Sequence, residues 1–322
     1  MSLVRALLVL GAMLFAAAVA QAQHYPSKPI TIIVPAAPGG VTDSLARRMG
    51  PKLTEAWSQQ VIVENKPGAN NQIAAEYVAK APPDGHTLLL GPEVTFVVNP
   101  FLYGKLNYDP VKDFVPIIGL IRINHALIVN PSVPVKNLKD LLDLAKKKPG
   151  ELNYGTFGVG SSGHLNMEML QTLAGVKFTP VHYKGATPAL TDVIAGHIPL
   201  MFISVGSAVQ PAQTGQVKML AIGSSKRFAP LPDVPTVAET VPGFEAVSWF
   251  GLFAPSRTPP DVVAKINAEI RRVFDDREFR EKFLAPQFFE PITGSPDELA
   301  AYLKSETEKW KQVLRQANVK FD

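Results

Sequence analysis

The sequence predicts an α/β fold: a parallel, doubly wound sheet with a second domain inserted into the first. Three observations carry this. Strand-like and helix-like runs alternate through most of the chain, the βαβ rhythm of a parallel sheet. About 300 residues lie beyond an apolar leader of 22, more than one hydrophobic core usually serves, so two domains are expected. Apolar runs near 121–129 and 246–254 are each flanked by long Pro-rich loops, as two crossings between domains would be.

The elements follow in order. Residues 1–22 read as a secretory signal peptide: Arg5 gives the n-region its charge, Ala6 to Ala20 is apolar or small, and Ala20-Gln21-Ala22 fits a small-x-small cleavage site. The stretch is short for a bilayer span, which needs roughly 20 apolar residues. Next, Ile30 to Val34 form a β-branched run that reads as a buried strand. Pro38-Gly39-Gly40 then supplies a turn, and Thr42 or Asp43 caps the helix predicted over 42–57. Further strands are expected at Val61–Glu64, Thr87–Leu90, His125–Val129, Leu152–Thr156, Pro199–Ile203 and Val217–Ile222, with helices near 70–80, 137–148, 162–174 and 186–195. The tail turns helical: Pro259-Pro260 open a helix to about Phe274, and Ser295-Pro296-Asp297-Glu298 has capping-box spacing with Pro at the first helical position.

Two glycine-rich turns are candidate ligand sites. The first, at 38–43, aims the free amides of a helix start at one spot, which suits a carboxylate or phosphate, although an ordinary βα turn has the same pattern. The second runs from Gly155 to His164 and contains GxGxxG at Gly158, Gly160 and Gly163. A dinucleotide site also needs an acid about 20 residues on, and the chain has neither Asp nor Glu between Gln171 and Thr191, so that reading fails. What survives is a hydroxyl-rich loop (Thr156, Ser161, Ser162) at a helix start.

Composition excludes several classes. Without Arg5 the chain carries 31 basic and 28 acidic residues, a formal charge of +3, too small and too scattered to imply nucleic acid. Cysteine is absent, which rules out disulfides, thiolate metal sites and Cys catalysis together. No metal spacing occurs, no cofactor is expected, and GxSxG is incomplete around Ser162 because position 164 is His. His164 remains either a serine's partner or a histidine at the core edge. Asp192 is either a ligand contact or an exposed helix acid.

Seven segments in order resemble one family over nearly the whole chain beyond the leader: YPSKPITIIVPAAPGGVTDSLAR (25–47), VIVENKPGA (61–69), PPDGHTLLL (82–90), NYGTFGVGSSGHL (153–165), HYKGATPALTDVIAGH (182–197), LPDVPTVAET (231–240) and WFGLFAPSRTP (249–259). The chain is similar to the substrate-binding proteins of tripartite tricarboxylate transporters, the Bug family. The resemblance implies a type II periplasmic binding-protein fold: two α/β lobes with a central cleft and hinge strands, closing on an organic anion held by amides and waters. Lobe 1 is expected at 23–123 and 250–322, and lobe 2 at 124–249. Carried onto this chain, the ligand residues are Pro38, Gly39, Gly40 and Asp43 in the first lobe and Thr156, Ser161, Ser162, Gly185 and Asp192 in the second. Arg122 and His125 fall near the expected hinge.

Three departures from the family pattern stand out. Asn70-Asn71 occupy the end of what is commonly PGAGG and border a helix start near the cleft; Pro199 replaces an acid; and Pro51 falls within a helix, where it removes a donor and is expected to kink it. The expected protein is a monomeric periplasmic binder, not an enzyme. It captures a small organic carboxylate and presents it to membrane transporter subunits. The rivals are a secreted serine hydrolase using Ser161 or Ser162 with His164, and a sensor that reports its ligand to a signalling receptor.

Overall fold

A computed structural model describes residues 25–317; the predicted signal peptide lies outside them. The elements, in chain order, are β1 (Ile30–Val34), α1 (Val41–Trp57), β2 (Val61–Asn65), α2 (Gln72–Ala79), β3 (Thr87–Pro92), α3 (Asn99–Leu102), β4 (Phe114–Val129), α4 (Leu138–Lys147), β5 (Asn153–Thr156) and α5 (Ser162–Ala174). They continue with β6 (Thr179–His182), α6 (Ala186–Ala195), β7 (Leu200–Ser204), α7 (Val205–Gln213), β8 (Lys218–Ile222), β9 (Val247–Pro255), α8 (Pro260–Asp275), β10 (Phe289–Pro291) and α9 (Pro296–Ala317).

One ten-stranded sheet runs through the molecule in the order β2-β1-β3-β9-β4-β7-β5-β6, with β8 and β10 also pairing β4. Strands β2, β1 and β3 are mutually parallel, as are β6, β5 and β7. The centre departs from the all-parallel expectation, because β9 is antiparallel to both β3 and β4, and β4 is antiparallel to β7 and β8. The 16-residue β4 belongs to both halves. Up to Asn124 it pairs β9, and from His125 it pairs β7, with β8 alongside from Ala126. A single strand therefore joins two α/β lobes.

Strand alternation sorts the core of the first lobe. Ile30, Ile32, Val34, Leu88 and Leu90 face one way and meet Leu45 and Met49 of α1 and Ile266 and Ile270 of α8. Ile33 and Leu89 face the other and meet Ala74 and Val78 of α2 and Trp310 of α9. That second layer continues into the other lobe through Tyr154, Leu165 and Phe202, and α9 packs against α5. The far face of the second lobe is closed by Ala189 and Val193 of α6 and Val205 and Ala208 of α7 around Met201 and Ile203.

The predicted helices form close to their expected limits. Ser295 and Glu298 complete the predicted capping box: Glu298 N–H donates to Ser295 Oγ (3.2 Å) and Ser295 N–H to the Glu298 carboxylate (2.6 Å). Pro51 does not interrupt α1, which runs unbroken from Val41 to Trp57. Proline takes helical φ without strain, and only the bond its missing N–H would have made is lost. Pro199 contributes its carbonyl, which accepts the Asn130 N–H at 2.8 Å.

Candidate functional site

Chain direction decides which loops meet. Strand β4 runs from the first lobe into the second; β1, β2 and β3 run parallel to it, whereas β5, β6 and β7 run opposite. The C-terminal ends of both strand sets, and the helix starts that follow them, thus point at the plane between the lobes. Contact across that plane is direct: a Cβ placed on Gly160, after β5, would come within 2.8 Å of Asn70 Nδ2, after β2.

In the first lobe, Pro38 and Gly39 are exposed and Gly39 has φ +88°, a conformation that favours glycine. Gly40 caps α1 at φ −73° without any side-chain bond, leaving the first-turn amides of Val41, Thr42 and Asp43 without a side-chain cap. The cap is thus Gly40 itself, and not Thr42 or Asp43, both of which lie inside the helix. Asp43 is instead the organiser of the turn. Its carboxylate, 3% exposed, accepts from Gly39 N–H, Arg47 Nε and Asn65 Nδ2, each at 2.9 Å. Burial opposes the charge, but these donors outweigh it and hold the Asp43 carboxyl below the usual range. Asn65 also donates to Ala36 O (2.9 Å), tying the end of β2 to the same loop.

In the second lobe, Thr156 Oγ1 lies 2.8 Å from His182 Nδ1 and accepts the Gly158 N–H at 3.2 Å, which closes the turn after β5. Ser161 is the N-cap of α5: its Oγ accepts the His164 N–H at 3.4 Å, and Ser162 is the first helical residue. Gly160, at φ +72°, donates its N–H to His164 Nδ1 at 3.1 Å. That bond requires a neutral ring, and burial together with neighbouring His182 lowers the His164 pKa to about 4. The other ring nitrogen lies 3.8 Å from Glu168 Oε1. His164 therefore shapes the loop through Nδ1.

Gly185, at φ +129° with open space where a side chain would project, caps α6 without a side-chain bond and gives a second uncapped helix start. Asp192 is not beside it: seven residues along the helix place it about 10 Å away. Its carboxylate is held by Tyr183 Oη (2.6 Å) and His197 Nδ1 (3.4 Å), which keep it below the usual range. The structure thus brings Pro38, Gly39, Gly40, Thr156, Ser161, Ser162 and Gly185 to the interlobe plane, with Asp43 supporting from behind and Asp192 remote.

Sequence reasoning missed several residues here. Asn65 and Arg47 complete the Asp43 cluster, and nothing in the segment VIVENKPGA marks its asparagine for that role. At the hinge, where His125 is expected, its Nε2 lies 3.0 Å from Ser248 Oγ, and buried Glu93, a residue the sequence did not single out at the end of β3, accepts the Trp249 N–H at 3.3 Å. Burial raises the Glu93 pKa to about 7 and lowers that of His125 to about 4. No group of residues able to hold a metal ion occurs among the described residues, and no described helix is long and apolar enough to cross a membrane.

Two α/β lobes joined by a shared strand, with uncapped helix starts facing one plane, define a two-lobed solute-binding protein. The chain belongs to the tripartite tricarboxylate transporter family receptors, whose family model matches residues 45–319. It is similar to Rpa4515 of R. palustris, solved with adipate (35% identity, 91% of this chain and 98% of that one, TM-score 0.84). It is also similar to the periplasmic binding protein BugD (33%, 92% and 100%, TM-score 0.83) and to MatC of Rhodopseudomonas palustris with bound malate (33%, 90% and 100%, TM-score 0.81).

Proposed function

We propose that this protein captures a small organic carboxylate, most simply a dicarboxylate, between its lobes in the periplasm and delivers it to the membrane subunits of a tripartite transporter. The observation that carries the reading is the pair of helix starts, Gly40 and Gly185, that lack side-chain caps and face one plane. Together with the Ser161-Ser162 turn they offer donors to an anion, and the one first-turn acid of α1, Asp43, is turned onto Gly39 N–H, Arg47 and Asn65. Similarity to proteins solved with adipate and malate supports the ligand class. The change of β4 partners at Asn124/His125 and the start of β9 at Val247 support lobe boundaries close to 124 and 249. The leader at 1–22 supports export, and the occupation of His164 Nδ1 by Gly160 supports a binder that does no chemistry on its ligand.

A thermal-shift screen of mono-, di- and tricarboxylates tests this, since a ligand at 100 times its Kd adds about 2.7 kcal/mol of stability. Stabilisation by at least one carboxylate, with no hydrolysis of generic esters, is expected. Stabilisation only by uncharged or cationic solutes overturns the reading.

A further inference from the structure

Residues 69–71 are strained, and the strain is held in place. Ala69, Asn70 and Asn71 all have left-handed backbones, at φ +46°, +48° and +74°, which side-chain-bearing residues rarely adopt once, let alone three times running. What holds them is a reciprocal amide pair. Asn70 Nδ2 donates to Asn99 Oδ1, and Asn99 Nδ2 donates back to Asn70 O, both at 2.8 Å. Asn99 is fully buried, its Nδ2 also reaches Tyr108 Oη at 3.3 Å, and Tyr108 in turn donates to Thr95 O at 2.6 Å. The Asn70 side chain is thus anchored through the start of α3 and the turn before it, inside the first lobe.

The same amide faces the second lobe. Its Nδ2 fills the space where Gly160 would carry a Cβ, and Leu102 Cδ1 lies 3.7 Å from the same point. Gly160 is itself fixed by His164 and directly precedes the cap of α5. Two rigidly held loops from opposite lobes, one opening α2 and the other the proposed ligand-binding start of α5, therefore meet at one side chain.

We propose that Asn70 is an interlobe latch, a positioning residue whose fixed amide bears on Gly160 when the cleft is closed and slows ligand release. The proposal rests on the binding reading above for its ligand, but not for the contact itself. Opening about the β4 hinge separates Asn70 from Gly160 while the Asn70–Asn99 pair, internal to one lobe, persists. The latch is therefore preorganised, and closing onto it orders little.

Because the chain has no cysteine, Glu55→Cys and Lys146→Cys, both at exposed helix positions in different lobes, give a clean spin-label pair. Interlobe distances are measured by pulsed electron resonance with and without adipate, in the labelled parent, Asn70→Gly and Asn70→Asp. Glycine accepts the left-handed backbone, and aspartate keeps the shape but replaces the donor that faces Asn99 Oδ1. Both variants are expected to shift the distribution toward longer distances without added ligand and to release adipate several-fold faster with unchanged association. Distances and release identical to the parent overturn the latch while leaving carboxylate binding intact. Longer distances in a protein that binds neither adipate nor malate support the latch and overturn the ligand assignment instead.

Discussion

At the scale of single residues, the two glycines of the first turn separate into different roles. Gly39 needs its left-handed φ of +88° and donates to Asp43, so Gly39→Val is expected to cost about 1–3 kcal/mol of strain and to displace the loop. Ligand affinity should collapse while the circular dichroism spectrum stays folded. Gly40 sits at φ −73°, and a Cβ there would be 3.5 Å from Ala37 O, an ordinary contact, so positive φ is no part of its function. Gly40→Ser is expected to raise the melting temperature slightly by supplying the missing cap. It should also weaken carboxylate binding, because the new hydroxyl takes an amide the ligand uses. Improved stability with undiminished affinity would remove α1 from the binding site. The serines differ likewise: Ser161→Ala loses the α5 cap, about 1 kcal/mol of stability, as well as a ligand donor, whereas Ser162→Ala should reduce affinity alone. Calorimetry paired with thermal melts distinguishes them.

At the scale of elements, the hinge carries buried groups with opposing pH dependence. Between pH 4.5 and about 7, folded Glu93 keeps a proton that the unfolded chain has released, so its contribution to stability falls as pH rises through that window. Between about 4 and 6.5, folded His125 and His164 refuse protons that the unfolded chain binds, so stability falls as pH falls. Glu93→Gln, which mimics the protonated acid, is expected to stabilise the protein at pH 8 by up to about 3 kcal/mol and to converge with the parent near pH 4.5. Thermal melts across that range check it, and an equal offset at both ends would show that Glu93 does not titrate there. The βα units that surround this hinge were legible because each carries its own punctuation: a β-branched run, glycines, then a cap, as in Ile30–Asp43. What failed to read had conflicting local signals. Strand β6 contains Pro180 and is exposed, a combination tolerated because β6 is the last strand of the sheet. Helix α7 contains Gly206 and Pro211. Val94–Val98 spells a strand yet forms a single π-helical turn, because β3 ends at Pro92 and the chain must fold back over the core. In the site, loop glycines were readable from sequence spacing. The approach of Asn65 to the helical Asp43–Arg47 pair and the Asn70–Asn99 pair were not, since they depend on the pairing of β2 with β1 and the return of the chain after β3.

At the scale of the whole molecule, closure about β4 is expected to reduce the radius of gyration on carboxylate addition, with each lobe moving as a body. Small-angle scattering with a ligand confirmed by the thermal screen checks this, and an unchanged radius would show a cleft that binds without closing. The sheet order has a separate consequence for how the chain is made. Strand β9 lies between β3 and β4, yet it is synthesised and exported after the whole of β5 to β8. Until residue 247 arrives, β3 and the first part of β4 lack the partner that joins them, whereas the second lobe already has every strand it needs. Its pairings should therefore form first, and the longest loop closure falls to the lobe that begins the chain. Pulse-labelled hydrogen exchange during refolding of the full chain should protect Leu200–Ser204 before Leu89–Gly91. Simultaneous protection would mean that the lobes fold as one unit. In the cell, the unpaired edges of β3 and β4 are the surfaces that remain open to mispairing for longest, so an export chaperone would have most to shield in the half of the protein that enters the periplasm first.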